Sequence, residues 1–580
     1  MHTFNVWAPG RRSVDVVAEG RLLPMKECER GWWAVSDAPA QAGTRYGFSL
    51  DGADVRPDPR SPAQPDGVLD LSEVIDHGAH EWSDDGWRGL PLAGSVLYEL
   101  HVGTFSPEGT FAGVIERLPH LVELGVDAIE LMPVAEFSGN RGWGYDGADL
   151  FAPHHAYGGP AGLKRLVDAC HAAGLAVVLD VVYNHLGPVG NFLSEFGPYF
   201  SERHHTAWGA AFNFDGPGSD EVRRFVIDNA LMWIRDYHFD GLRLDAVHAI
   251  VDQSPVNILE QLAMEVETLG AELHRSTWLI AESDLNDPRF VSSRKAGGYG
   301  LNAAWSDDWH HALHAALTGE RTGYYEDFGS LAILGKALRQ AWVYDGVWSA
   351  HRQQTRGRKA TGVASHSFVI AAQNHDQVGN RATGDRLPAL LDEGRLKVAA
   401  ALLLTAPFTP ILFQGEEWGA SSPFQYFTDH ADPQLGKAVR DGRRSEFAAF
   451  GWDPERVPDP QDPTTFLRSK LNWGELGEPF HRRMLEWHQA LLALHKRLSV
   501  LEDRSGEAVR VEVDEAAGTL VFERHNISVR VNLGQSDWLS QIPAGFQLLM
   551  ASDSAIGPAA ETICMPPSSV AILERSDVGD

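Results

Sequence analysis

Four apolar runs in this chain end in ionisable or amide side chains, which no ordinary buried sheet face explains. Leu175-Ala-Val-Val-Leu-Asp-Val-Val-Tyr-Asn-His185 closes on Asn184 and His185, and Phe239-Asp-Gly-Leu-Arg-Leu-Asp245 closes on Asp245. Ser276-Thr-Trp-Leu-Ile-Ala-Glu282 closes on Glu282, and Ser367-Phe-Val-Ile-Ala-Ala-Gln-Asn-His-Asp376 on His375 and Asp376. Polar groups at the ends of separate buried strands imply one shared site, and a parallel β/α barrel keeps its chemistry at the C-terminal ends of its strands. Arg243 and Asp245 are two residues apart, so an extended backbone sends both side chains to the same face. Charges pointed inward have to be paired, and Arg243 is expected to hold Asp245 ionised, as suits a nucleophile. For that segment alone, a buried ion pair without chemistry is the competing reading.

The rest of the chain supplies strands for such a barrel. Val96–Val102, Ala128–Val134, a weaker Leu301–Trp305 and Thr409–Gln414 join the four runs to make eight, as a closed barrel requires. Helices fit between them: Gly162–Gly174 has core-facing apolar spacing and a glycine stop, and Met484, Trp487, Leu491, Leu494 and Leu498 recur at helical intervals. Residues 3–52 instead alternate in short strands, predicting a small β-sandwich, and Arg56-Pro-Asp-Pro-Arg-Ser-Pro-Ala-Gln-Pro65 suits a linker or a strap. Strand patterns return at Thr519–Arg524 and Ile527–Leu533. The expected organisation is an α/β fold with an N-terminal β-sandwich over residues 1–90, a (β/α)8 TIM barrel over 91–501 and a C-terminal β domain over 502–580.

Composition narrows the partners. With 580 residues, 43% of them hydrophobic, there is ample material for a large core, and a formal charge of −30 argues against nucleic acid, anionic lipid or a polyanionic substrate. Cys28, Cys170 and Cys564 are too few and too scattered for a disulfide framework or a cysteine zinc site. There is no signal-peptide pattern and no apolar segment of membrane length, so the expectation is a soluble cytoplasmic protein with no membrane partner.

Asp180-Val-Val-Tyr-Asn-His185, Gly241-Leu-Arg-Leu-Asp245, Ala281-Glu282 and Asn374-His-Asp376, in this order, resemble the four signature regions of the α-amylase superfamily, glycoside hydrolase family 13. The N-terminal sandwich is similar to the module preceding the barrel in isoamylases, branching enzymes and trehalohydrolases. The resemblance implies a retaining α-glycosidase in which Asp245 is the nucleophile, Glu282 the general acid/base and Asp376 the transition-state stabiliser. Such chemistry needs one attacking carboxylate and one protonated acid about 5–5.5 Å apart, and burial beside Asp245 is expected to raise the Glu282 pKa. By the same resemblance His185 and His375 hydrogen-bond the sugar, Arg243 orients Asp245, and Tyr145 of Trp143-Gly-Tyr-Asp146 stacks on the sugar, while Trp143 is as readily a loop-packing residue.

Finer segments, among them Ala152-Pro-His-His-Ala-Tyr-Gly-Gly-Pro160 and Phe413-Gln-Gly-Glu-Glu-Trp418, resemble the trehalohydrolases of this superfamily. That resemblance implies hydrolysis of the α-1,4 bond next to the terminal trehalose of maltooligosyltrehalose, with His248, Asp284 and Asn286 as hypothesised contacts to the released disaccharide. A branching enzyme is the alternative, and a catalytically silent glucan-binding protein is a further one, disfavoured because all three carboxyls are present. No cofactor and no metal are expected. His310, His311 and His314 read as solvent-facing, His154-His155 and His204-His205 as loop residues that touch substrate or cap turns, and the short Leu186–Ser219 excursion argues against a required calcium.

Overall fold

The computed structural model describes residues 2–449, 454–505, 509–559 and 561–576; parts of the expected C-terminal domain, 506–508, 560 and 577–580, lie outside them. Its centre is a closed barrel of eight parallel strands. These are β1 (Leu97–Leu100), β2 (Ala128–Leu131), β3 (Ala176–Val181), β4 (Gly241–Leu244), β5 (Trp278–Ala281), β6 (Ala303–Trp305), β7 (Phe368–Ala371) and β8 (Thr409–Phe413). Every one lies within an expected run. Alternation along the strands divides the interior into layers. Leu97, Ala128, Val178, Trp278 and Ile411 belong to one apolar floor. Two residues further along their strands, Glu99, Glu130 and Asp180 share the phase of that floor, as does Glu282 four residues beyond Trp278, and all lead up to the carboxyl ends.

The floor is closed from below by the segment that precedes β1. Trp87 and Leu90 pack against it, and Asp84 Oδ2 accepts from His171 at 2.8 Å, His238 at 2.8 Å and Arg275 at 3.0 Å. Trp87 Nε1 donates to Asp240 at 2.6 Å. Residues 84–92 therefore serve the barrel although they precede its first strand.

Residues 2–73 form two antiparallel sheets, one from His2–Trp7, Trp32–Ala38 and Lys26–Glu27, the other from Val14–Ala18, Arg21–Pro24, Arg45–Leu50 and Ser72–Glu73. Phe4, Val6, Val16 and Phe48 are buried among them. The proline-rich stretch is a docked strap: Pro57 and Pro59 are buried, Arg56 pairs with Glu195 at 2.9 Å and Arg60 with Asp228 at 2.8 Å. At the other end, a five-stranded and a three-stranded sheet follow the barrel, and the expected strands Thr519–Arg524 and Ile527–Asn532 pair antiparallel.

Helix α1 (Gly159–Ala172) buries Leu163, Leu166, Val167 and Cys170, as its spacing predicts. Helix α2 (Asp307–Thr318) corrects an expectation. His310, His311 and His314 are buried rather than solvent-facing, because α2 is covered by the Gly323–Phe328 turn, where Tyr325 stacks on His314 at 4.4 Å. His310 Nδ1 donates to Ala372 O at 2.8 Å, and burial pushes His311 down to about 3. Helix α3 (Pro479–Ser505) buries Met484, Leu491, Leu494 and Leu498.

Candidate active site

At the carboxyl ends of the strands, Arg243 links the acids. Its Nη1 donates to Asp245 Oδ1 at 2.8 Å and to Asp180 at 2.8 and 2.9 Å, its Nη2 lies 3.7 Å from Glu282 Oε2, and its guanidinium rests 4.5 Å from the Trp305 ring centroid. A guanidinium this enclosed keeps its charge because the surrounding carboxylates outweigh the cost of burial. Asn184 Nδ2 donates to Asp245 Oδ2 at 2.8 Å. Both carboxylate oxygens of Asp245 are thereby oriented by side chains from β3 and β4.

The turn after Asp245 also positions Glu282. Ala246 has φ 42, a left-handed conformation that a non-glycine residue adopts at a cost. In that conformation its N–H donates to Glu282 Oε2 at 2.6 Å. Burial raises the Glu282 pKa well above the ordinary value, Arg243 opposes the shift, and Asp245, Asp307 and Asp376 add to it. One acid is thus held by a cation, while partial burial favours the protonated form of the other. Asp376 opens the His375–Gly379 turn, half-buried, with Asn380 Nδ2 on its Oδ1 at 2.5 Å.

A second chain of contacts runs from the barrel interior. Glu99 accepts from His375 N at 2.8 Å and from His375 Nδ1. His375 Nε2 is 2.7 Å from the Tyr145 hydroxyl, which donates to Asp180 at 2.6 Å. Burial alone would lower the His375 pKa, yet Glu99 outweighs it and raises it, so the ring donates from both nitrogens. Burial raises Asp180 to about 6. His375, expected to hydrogen-bond the sugar, is only 3% exposed, and a direct contact would require giving up the Tyr145 bond. Tyr145 is half-buried with its ring stacked on His375 at 5.2 Å. Trp143 packs in the loop, stacked on Phe424 and donating to Gln425 O at 3.0 Å.

His185, expected on the sugar beside His375, and the three residues expected at the leaving-group side separate. His185 is buried, bonded to Asn184 Oδ1 and stacked on Trp208 at 5.6 Å. His248 is half-buried with Nδ1 lacking a partner among the described residues, and it faces the same Trp208 at 6.5 Å. Asp284 is half-buried and paired with Arg352 at 2.8 Å and Arg356 at 3.0 Å. Asn286 is a correction: it is 2% exposed, and its amide donates to Asp308 at 2.6 Å and Tyr344 O at 3.1 Å. With φ 51 it shapes the loop after Glu282 and has no donor left for a ligand.

Trp208 and Asp307 escaped the sequence reading. Trp208, 54% exposed, tips a hairpin of Phe200–Thr206 and Gly209–Phe212. Nothing in its polar loop marks it, since the neighbours His185 and His248 arrive from other elements. Asp307 had a signal, because β6 ends in Trp305-Ser306-Asp307 and follows the same strand-end rule as the other acids.

His154 and His155 cap a turn. Together with Glu136 their ligand atoms lie within 4.8 Å of one another, a spacing that could hold a metal. Glu136 accepts from His155 Nδ1 at 2.6 Å and His155 N at 2.8 Å, and His154 Nδ1 accepts from Ala156 N at 3.3 Å, while His154 Nε2 has no partner among the described residues.

Comparison with known proteins places this geometry. The model of the α-amylase catalytic domain matches residues 69–206. The chain is 53% identical to a malto-oligosyltrehalose trehalohydrolase from Arthrobacter ramosus, over 91% of this chain and 92% of the relative. It is 48% identical to one from Rhizobium sp. (strain M-11), over 98% and 97%. A crystal structure of a candidate α-amylase from Salmonella typhimurium superposes with TM-score 0.90 at 38% identity, covering 99% of this chain and 97% of that one. Identity of this extent over nearly the whole length, on an eight-stranded barrel with the signature acids at its strand ends, shows that the chain belongs to the malto-oligosyltrehalose trehalohydrolases of the α-amylase superfamily.

Proposed function

We propose that this site hydrolyses the α-1,4-glucosidic bond next to the terminal α,α-trehalose of maltooligosyltrehalose, releasing trehalose with retention at the cleaved anomeric carbon. The observation that carries the chemistry is that Arg243 contacts Asp245 at 2.8 Å and lies 3.7 Å from Glu282, whose pKa desolvation raises towards that of a proton donor. Glu282 donates its proton to the glycosidic oxygen as Asp245, aimed by Arg243 and Asn184, forms a bond to the anomeric carbon. The trehalose unit departs. Glu282, now a carboxylate, takes a proton from water, whose oxygen displaces Asp245 and regenerates both groups. Asp376 binds sugar hydroxyls and favours ring distortion, with Tyr145, stacked on His375, as the platform. His185, Trp208 and His248 line the rim towards the leaving group.

The substrate assignment is supported by the relatives' shared activity name. The charge of −30 suits a neutral glucan and not a nucleic acid. No described helix is long and apolar enough to cross a membrane, and three free cysteines fit a cytoplasmic enzyme. We read residues 1–90, 91–501 and 502–580 as the N-terminal, catalytic and C-terminal units, with the end of the first, residues 84–90, packed on the barrel floor.

Maltotriosyltrehalose and maltopentaose, incubated separately with the enzyme and resolved by chromatography, test the assignment. Trehalose and maltotriose from the first, with much slower cleavage of the second, are expected. New α-1,6 branches from amylose with little trehalose released would establish a branching enzyme.

A further inference from the structure

We propose that Asp307 is a fourth carboxyl of the site and binds hydroxyls of the released disaccharide, a role that rests on the trehalose-releasing reading above. Asp307 is the first residue of α2, directly after β6, so it stands on the same rim as the three signature acids. Its neighbour Asp308 shows what a structural acid looks like here. Asp308 is 4% exposed and its Oδ2 accepts from Asn286 at 2.6 Å and from the N–H groups of Val343 and Tyr344 at 2.7 Å each. Asp307, half-buried, has one long hydrogen bond among the described residues, from Gln377 Nε2 at 3.5 Å. A half-buried carboxyl on this rim with so little protein contact keeps acceptor capacity that a ligand hydroxyl can take up in place of water.

Its contact Gln377 directly follows Asp376, which sets Asp307 beside the His375–Gly379 turn. Glu282, Asp284, Asp308 and Asp376 are the carboxyls that act on it or feel it, and Arg243 is the cation. Tyr145 and Asn184, by contrast, belong to the Asp180 and Asp245 side. Burial, followed by Asp376 and Asp284, pushes Asp307 up to about 7. Near neutral pH it divides between an acid that donates and a carboxylate that accepts, which suits the paired donor and acceptor of a sugar hydroxyl. Trehalose joins two glucoses through their anomeric carbons, so its distal ring presents hydroxyls at positions a linear glucan leaves differently filled. A polar group waiting for such a hydroxyl discriminates strongly when it is missing.

The competing role is purely electrostatic, with Asp307 acting only by raising the Glu282 pKa. Wild type, Asp307→Asn and Asp307→Ala would be assayed on maltotriosyltrehalose and maltopentaose across pH, after thermal unfolding has verified that each variant is folded. Trehalose binding to each would be measured by calorimetry. The expected result is that Asp307→Ala lowers the ratio of kcat/KM values, maltotriosyltrehalose over maltopentaose, by about tenfold or more. The loss should fall mainly in KM, with weaker trehalose binding and partial recovery in Asp307→Asn. Equal losses on both substrates, with a shifted alkaline limb and unchanged trehalose binding, would overturn the proposal in favour of the electrostatic role. No change in the ratio would overturn it outright. A wild-type enzyme that itself shows no preference for maltotriosyltrehalose would remove the functional assignment, and the proposal with it.

Discussion

Glu282 shows what the chemistry costs the fold. Its carboxyl is half-buried and its pKa stands well above the unfolded value, chiefly through desolvation. A raised folded pKa contributes stability that is complete below the unfolded pKa and is lost as pH rises through the folded one, so near neutrality the group destabilises the native state. Glu282→Gln is therefore expected to raise the unfolding midpoint at pH 7 by about 1–2 °C, measured by calorimetry, while kcat falls by about three orders of magnitude or more. A variant that keeps near wild-type kcat would remove Glu282 from the acid role. Asp245→Asn and Asp376→Asn should lose activity on a similar scale with the fold intact. In wild type the activity should decline on the alkaline side as Glu282 ionises, a limb that a pH profile of kcat/KM reads directly.

Elements bring to these residues what their own strands do not supply. Trp208 reaches the rim only because the Phe200–Thr206 and Gly209–Phe212 hairpin folds over His185 and His248. Removing one aromatic platform costs about 0.5–1.5 kcal/mol beyond its buried area. Trp208→Ala should thus raise KM for maltotriosyltrehalose about tenfold with a smaller change in kcat, as steady-state kinetics would show. Beneath the barrel, His171 of α1 bonds Asp84 at 2.8 Å and Asp240 at 3.0 Å. Burial alone would lower its pKa, but the bonds to Asp240 and Asp84 outweigh that and raise it. This contribution is present below the unfolded histidine pKa and fades as pH climbs through the folded value. The midpoint difference between wild type and His171→Asn should be largest near pH 5–6 and shrink towards alkaline pH. A difference that grows between pH 6 and 9 would contradict the charged assignment. Asp84, whose pKa is lowered by its bonds to His171 and His238 against the cost of burial, sets the acid end of the same window, since its contribution is lost as pH falls below the ordinary carboxylate range.

At the scale of the whole molecule, the boundary between the first unit and the barrel is chemical rather than numerical. Trp87 and Leu90 fill the floor and Asp84 ties together His171, His238 and Arg275 from three different elements. A chain beginning at residue 91 lacks all of these and leaves His171 and Asp240 without Asp84 and Trp87. It is expected to be insoluble or unfolded by circular dichroism. The strap ion pairs of Arg56 and Arg60 are partly exposed and contribute about 0–1 kcal/mol each, so charge-removing substitutions there should change the midpoint little. Sequence by itself determined the barrel and its acids. A strand buried on both faces must be apolar, and that pattern ends wherever a functional group is needed, so β3, β4, β5 and β7 announced Asn184, Asp245, Glu282 and Asp376 in linear order. It did not determine which polar groups face a ligand. His310 and Asn286 read as exposed or functional because their neighbours in sequence are polar, but they are covered by other elements, His310 by the following turn at Tyr325 and Asn286 by Tyr344, 58 residues on. Trp208 became part of the rim for the same reason. Periodicity encodes the face of one element, whereas burial and hydrogen-bond satisfaction belong to pairs of elements, and only tertiary packing decides those.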